Sequence, residues 1–309
     1  MTSAAATEAG AASRPDVFLV GDAKCGTTSL HRLFELAPGV GVARTRKELH
    51  YFSAQELVAR TAGPGDATIP QVIVTDEAAY LAEFAHLDPA LPAIVDVSPS
   101  YLQNPPAAAR IHAFAPDARI VITLREPAAK VFSQYVHLWS QGRETLPFAE
   151  AFAASDDRRQ AGYSDMFDYA SGGSYAAGVA RYLDLFGAER VLVLLFEELT
   201  GDMDAARARL EAFLGTELPG GPLPRVNAGG RVKSPVVAAL LGNERLKSWV
   251  RAAMPLGLRT RLAERLRSGV AVDRPELDPE MRATLRRRFA ADVAELEGLI
   301  GRPTGWPPE

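Results

Sequence analysis

Val17-Phe18-Leu19-Val20-Gly21-Asp22-Ala23-Lys24-Cys25-Gly26-Thr27-Thr28-Ser29-Leu30 is the stretch that decides the fold. Four apolar residues read as a buried strand, and Ser29 to Leu36 reads as a helix. Between them lies a tight loop with a glycine at each end. Gly21 and Gly26 let the backbone bend and come close to an anion. The free N–H groups and the dipole of a helix start then favour negative charge. Thr27, Thr28 and Ser29 add hydroxyl donors. A strand, a glycine loop and a helix in this order make a phosphate site.

The lysine narrows the reading. A nucleotide triphosphate P-loop has the form G-x-x-x-x-G-K-[ST]. Here Thr27 follows the second glycine, and Lys24 sits inside the loop. The glycine spacing fits, but the lysine placement weighs against an ATPase or kinase.

Working outward, the 309 residues are 47% hydrophobic and 23% charged, ordinary for a globular chain with ample core. The net charge of −4 gives no global basic field, so no nucleic-acid partner is expected. Cys25 is the only cysteine, which rules out an intrachain disulfide and a cysteine-based zinc site. The five histidines are scattered without an H-x-x-x-H or H-E-x-x-H pair, so no metal site is expected. Residues 1–14 are alanine-rich and lack the features of a secretory signal, which reads as a disordered tail. No apolar run reaches about 18 residues, so no transmembrane segment is expected. A reduced, cytoplasmic location fits these readings.

Short apolar runs alternate with helix-period segments. The strands expected are Val17–Val20, Val40–Ala43, Ala93–Val97, Arg119–Leu124 and Val191–Phe196. The helices expected are Thr28–Leu36, Thr75–Phe84, Pro105–Phe114, Ala128–Trp139, Pro147–Ala154, Tyr175–Phe186 and Met203–Leu214. This alternation implies an α/β, P-loop-like, three-layer fold whose central, mostly parallel sheet is flanked by helices. Ligands of such sheets bind at the carboxyl ends of the strands, where the glycine loop and Arg125 both fall. Gly215 to Gly230 reads as a Gly/Pro-rich linker, and Val236–Arg267 and Glu276–Ile300 as a helical C-terminal extension. Residues 15–309 are expected to form one domain, with an α/β core over 15–215.

Four further segments, in order, carry a resemblance. They are Lys47-Glu48-Leu49-His50-Tyr51-Phe52, Asp96-Val97-Ser98-Pro99-Ser100-Tyr101, and Leu124-Arg125-Glu126-Pro127 followed by Ser133-Gln134-Tyr135. The last is Gly173-Ser174-Tyr175 with the strand at Val191–Phe196. With the loop at 21–28, they resemble the motifs of sulfotransferases that use 3′-phosphoadenosine 5′-phosphosulfate (PAPS), especially the bacterial and carbohydrate-type branches. The resemblance spans residues 16 to 231. It departs at Val97, where some carbohydrate enzymes carry lysine, at Cys25 and Glu126, and at Gly229-Gly230-Arg231, which matches only in part.

The resemblance implies a sulfuryl donor, PAPS, and a hydroxyl or amine acceptor on a small molecule or carbohydrate. Lys24 would neutralise charge growing on the leaving phosphate, with no metal required. Cys25, Gly26, Thr27, Thr28 and Ser29 would hold the 5′-phosphate. Arg125 and Ser133 are the candidates for the 3′-phosphate, because a guanidinium fork suits it. Tyr175 and Arg231 are weaker nucleotide candidates, and Lys130 a supporting one. Glu48 is the candidate general base, its pKa expected to be raised by burial beside Tyr51 and Phe52. His50 is the competing base, and Asp96 and Tyr101 are candidate acceptor contacts. Each has a bland alternative: an exposed Glu48–Lys47 pair, a structural His50, a strand-end Asp96, a core Tyr175. Cys25 is expected to be a reactive thiol if exposed, and a small buried residue otherwise. Trp139, Phe148, Tyr163, Phe167 and Tyr169 are expected to shape the acceptor pocket. A small-molecule kinase and a non-catalytic nucleotide-binding protein remain as alternatives, and a homodimer stays open.

Overall fold

The computed structural model describes residues 13–223, 231–232, 271–272 and 275–308. The expected helices of Val236–Arg267 lie outside the described residues.

Five strands form one parallel sheet in the order β2-β3-β1-β4-β5. They are β1 (Val17–Gly21), β2 (Val40–Val42), β3 (Ala93–Val97), β4 (Arg119–Leu124) and β5 (Val191–Leu195). All five begin where the apolar runs begin, because each run is bounded by polar or turn residues and must be buried. Strand alternation sorts their side chains onto two faces. Phe18, Val20, Ile94, Ile120 and Ile122 enter one core, and Val17, Leu19, Val95 and Val121 the other. Helices cover both faces, which gives the three layers.

The helices are α1 (Thr27–Glu35), α2 (Ala54–Val58), α3 (Glu77–Ala82), α4 (Pro105–Phe114), α5 (Pro127–Ser140), α6 (Phe148–Ala153), α7 (Ser155–Gln160), α8 (Ala176–Phe186), α9 (Phe196–Gly201), α10 (Met203–Leu214) and α11 (Pro279–Ile300). Two differences from the sequence expectation have local causes. The third helix starts at Glu77 rather than Thr75 because Asp76 caps it, accepting from the Ala79 N–H at 2.8 Å. Phe196 opens α9 instead of closing β5, because the Glu198 carboxylate turns back to accept from the Leu195 N–H at 2.9 Å. The chain order crosses at β1, whose neighbours are β3 and β4. The crevice at its carboxyl end is therefore the natural ligand position.

The last helix is less an extension than a third wall of the core. Leu296 and Trp306 join the core with Tyr175 and Tyr182, while Leu285 and Phe289 join the one around α5. Phe289 presses on Gly173, where an added Cβ would meet the ring at 2.7 Å. Asp292 accepts from the Tyr175 N–H (2.7 Å) and the Ala176 N–H (3.2 Å), satisfying free donors at the start of α8. Ser13 is likewise tied down, donating to the Leu87 carbonyl at 2.6 Å. Asp292→Ala should therefore cost about 1–2 kcal/mol of stability, the scale of a lost helix cap. Urea unfolding monitored by circular dichroism would show it, and an unchanged midpoint would contradict the account.

Candidate active site

The loop after β1 is bent by two left-handed residues, Lys24 (φ 70°) and Gly26 (φ 92°). A Cβ at Gly26 would also stand 3.0 Å from the Phe196 ring. Glycine is thus required twice over, by backbone angle and by space. No side chain caps α1, and its Ser29 N–H donates to the Gly26 carbonyl at 3.0 Å. Thr27 is buried, while Thr28 and Ser29 are half-buried.

A buried ion pair pins the loop from behind. Asp22 and Lys130 meet at 3.0 Å with side chains 3% and 2% exposed. Gln103 also donates to Asp22 (2.9 Å), and Lys130 donates to Gln134 (2.9 Å) and to the Gly172 carbonyl. Lys130 is thus a support of the loop rather than a solvated helix charge.

Arg125 leaves β4 beside the loop. It donates to the Lys24 carbonyl at 3.4 Å and lies 4.6 Å over the Phe196 ring. Neither Glu126 nor Glu197 pairs with it in the described ion pairs. Glu126 pairs with Arg286 (3.1 Å), and Glu197 accepts from Glu126 N (3.1 Å) and Trp306 Nε1 (3.0 Å). Ser133 is half-buried, about two turns into α5. Arg231 enters a two-residue antiparallel pairing opposite Val272.

The segment from Lys47 to Phe52 lies against this loop. Lys47 Nζ donates to Thr27 Oγ1 (3.2 Å), Thr28 Oγ1 (3.0 Å) and Glu48 Oε1 (2.6 Å). The other Glu48 oxygen is 3.3 Å from His50 Nε2, and His50 Nδ1 is 2.7 Å from Ser100 Oγ. A carboxylate only accepts, so Nε2 carries a proton toward Glu48, while the Ser100 hydroxyl can partner Nδ1 in either ring state. Burial pushes the Glu48 pKa up, but the hydrogen bonds and charges of His50 and Lys47 outweigh it and hold it at about 2. The expected upward shift is therefore reversed. Lys47 was missed as a site residue, because it reads as a surface partner until the fold lays it across the loop.

Three sequence expectations need correction. Asp96 and Tyr101 are wholly buried, with no surface open to an acceptor. Asp96 accepts from Ser98 Oγ (2.7 Å), Tyr101 Oη (2.8 Å) and Tyr80 Oη (2.9 Å), and burial raises its pKa above the usual range. Ser98 Oγ in turn accepts from the Leu49 (3.2 Å) and His50 (3.1 Å) N–H groups. The second motif is thus a bracket for the first. Tyr175 is also fully buried and donates to the Arg125 carbonyl at 2.9 Å, so its side chain positions the loop after β4. The Cys25 side chain has no exposure, and burial and the Asp22 charge raise its pKa. The condition for a reactive thiol, exposure, is not met, and Cys25 takes the alternative reading of a small buried residue whose N–H donates to the Asp22 carbonyl at 3.2 Å.

Beside Glu48 and His50 opens a cavity of about 460 Å³, which reaches His137, Ser100 and Gln103. The pKa of His137 is lowered to about 4, first by burial and then by the Lys24 and Arg143 charges, so its ring is neutral near pH 7. Of the aromatic residues expected to shape an acceptor pocket, Phe167 and Tyr169 sit in a buried core cluster, with Trp139, Phe148 and Tyr163 partly buried and packed against it. Among the described residues no group of acidic, histidine or cysteine side chains is placed to hold a metal. No helix among them is long and apolar enough to cross a membrane.

A family model described as "Sulfotransferase family" matches residues 15–220. A sulfotransferase crystal structure from Alicyclobacillus acidocaldarius is 33% identical, with a TM-score of 0.72, covering 94% of this chain and 97% of that one. The human heparan sulfate glucosamine 3-O-sulfotransferase 6 is 28% identical over 122 residues, which are 39% of this chain. That match spans 34% of the human protein, about a third of its length.

Two outcomes follow from the geometry. Cys25 in the native protein should react with a disulfide reagent about a hundredfold more slowly than a free thiol. Rapid stoichiometric labelling would contradict its burial. In Lys47→Met the Glu48 pKa should rise from about 2 toward the ordinary carboxylate range, because a cation and a donor are removed. Carboxyl-carbon NMR titration reads it, and an unmoved pKa would assign the depression to His50 alone.

Proposed function

The chain belongs to the sulfotransferase family, and from that premise we propose that it moves a sulfuryl group from PAPS to a hydroxyl or amine of a small-molecule or carbohydrate acceptor. One observation carries the reading. A single ammonium, Lys47, touches two hydroxyls of the phosphate loop, Thr27 and Thr28, and the Glu48 carboxylate. The loop and the base therefore lie within one side chain of each other, as a direct transfer between donor and acceptor needs.

The residues present fit a phosphosulfate. The uncapped start of α1, the left-handed Gly26 and the Thr27 and Thr28 hydroxyls form a cradle whose cations are Lys24 and Lys47. When bound, PAPS supplies the sulfuryl group and a phosphate leaving group. The α1 N–H groups and Thr28 hold the 5′-phosphate. Lys24 would neutralise the charge left on the phosphate oxygen of such a donor when its bond to sulfur breaks. Arg125, which lies over Phe196, would hold the 3′-phosphate, with Ser133 as a second donor. Glu48 takes the acceptor proton as the acceptor oxygen or nitrogen bonds to sulfur. His50 holds the second Glu48 oxygen and thereby its orientation. An anion on the loop competes with Glu48 for Lys47, which makes Glu48 a stronger base when the donor is in place.

The human relative's name assigns it heparan sulfate glucosamine as acceptor, and this supports a sugar hydroxyl as one acceptor type to test. Glu48→Gln should lower kcat by about 10²–10⁴-fold while leaving the affinity for PAP (3′-phosphoadenosine 5′-phosphate) within a few-fold. Retained kcat would remove Glu48 from the base role. Arg125→Ala should weaken PAP binding about tenfold or more in metal-free calorimetry, the scale of a lost charge-assisted pair. Tight, magnesium-dependent ATP binding indifferent to Arg125 would instead favour a kinase.

A further inference from the structure

The cavity beside Glu48 has its charges already spent. Lys130 meets Asp22 at 3.0 Å, Arg159 meets Asp168 at 3.3 Å and Asp156 at 2.6 Å, Arg60 is bonded to Asp165, and Arg143 to Asp66. The described lining residues hold four cations, Lys130, Arg60, Arg143 and Arg159, and four anions, Asp22, Glu48, Asp165 and Asp168. An anionic group placed on one of these guanidiniums would meet its carboxylate at a similar distance. Attraction and repulsion then nearly cancel, while desolvation still costs.

The remaining wall is hydrocarbon. Leu57, Ile69, Val72, Ile73 and Met166 line the same cavity. Val72 is 53% exposed and is one of two large hydrophobic residues left exposed among those described. The other, Leu36, lies just beyond α1. The wall is also held in place. Asp66, wholly buried, accepts from Ser164 N (2.8 Å), Ser164 Oγ (2.7 Å) and Gly63 N (3.1 Å), which ties the two lining segments together. A preformed, partly apolar cavity of this volume suits a small organic molecule.

Resting on the sulfotransfer reading, we propose that the acceptor is an uncharged amphipathic alcohol. Its hydrocarbon body lies on the Leu57–Ile73 wall, and its hydroxyl reaches Glu48 and His50. A polyanionic glycan is disfavoured, because the described wall offers it no uncompensated cation.

Two probes of one length separate the charges: 1,10-decanediol and 10-hydroxydecanoate, each assayed with PAPS on the full chain. The diol should have a kcat/KM at least about tenfold higher. Val72→Asp and Val72→Lys should each lower kcat/KM for the diol about tenfold, since either charge spoils an apolar wall. Both variants change an exposed residue, so folding is not at stake. Preference for the hydroxy acid, or a gain for it in Val72→Lys, would overturn the proposal. So would turnover of a sulfated oligosaccharide but of neither ten-carbon probe, or intact PAP binding with neither probe used. PAP calorimetry on the same samples keeps the two readings apart. If PAP itself fails to bind, the sulfotransfer reading falls, and this inference falls with it rather than alone.

Discussion

The site depends on the Asp22–Lys130 ion pair. Asp22 sits inside the proposed anion loop, and an uncompensated carboxylate there would repel an anion. Lys130, almost wholly buried, neutralises that charge at 3.0 Å, leaving Lys24 and the α1 N-terminus to set the loop's field. A buried pair is expensive to assemble, and breaking it by removing one partner typically costs about 3–5 kcal/mol. Here the surrounding bonds to Gln103, Gln134 and the Gly172 carbonyl satisfy the remaining atoms. The same pair joins the loop to α5 and to the segment before α8, so donor loop and cavity wall are fixed to one another.

A second chain of support runs from Asp96. Its carboxylate is fixed by two tyrosines and by Ser98, and Ser98 fixes the backbone at Leu49 and His50. Glu48 therefore gets its position from a strand end it does not belong to. His50 occupies a left-handed conformation (φ 55°) that costs free energy for a non-glycine residue. The two Ser98 bonds to this segment offset that cost locally. Catalytic groups on a loop can be held as firmly as groups on a strand when a buried carboxylate stands behind them.

The two ends of the site are electrostatically unlike. At the strand ends Lys24, Lys47 and Arg125 gather around one loop, where the donor's phosphates would lie. Along the cavity each described cation has a carboxylate beside it. The division fits a protein whose net charge is −4: positive potential is concentrated where charge must be neutralised and cancelled elsewhere.

The strands, most of the helices and the phosphate loop were legible in the sequence because they rest on local physics. Apolar runs must be buried, glycines permit left-handed turns, and an uncapped helix start attracts anions. Lys24, Glu48 and Arg125 were nominated as candidates through motif spacing and side-chain chemistry. What the sequence could not rank was solvent access. Asp96, Tyr101, Tyr175 and Cys25 look like site residues in the sequence, yet all four are fully buried, because exposure depends on elements far apart in the chain. Lys47 and Lys130 look like solvated charges, yet the fold turns one onto the loop and the other beneath it. The Glu48 pKa went the opposite way to expectation for the same reason. Burial is a contribution the sequence suggests, but the ammonium and imidazole that outweigh it are placed only by the tertiary structure.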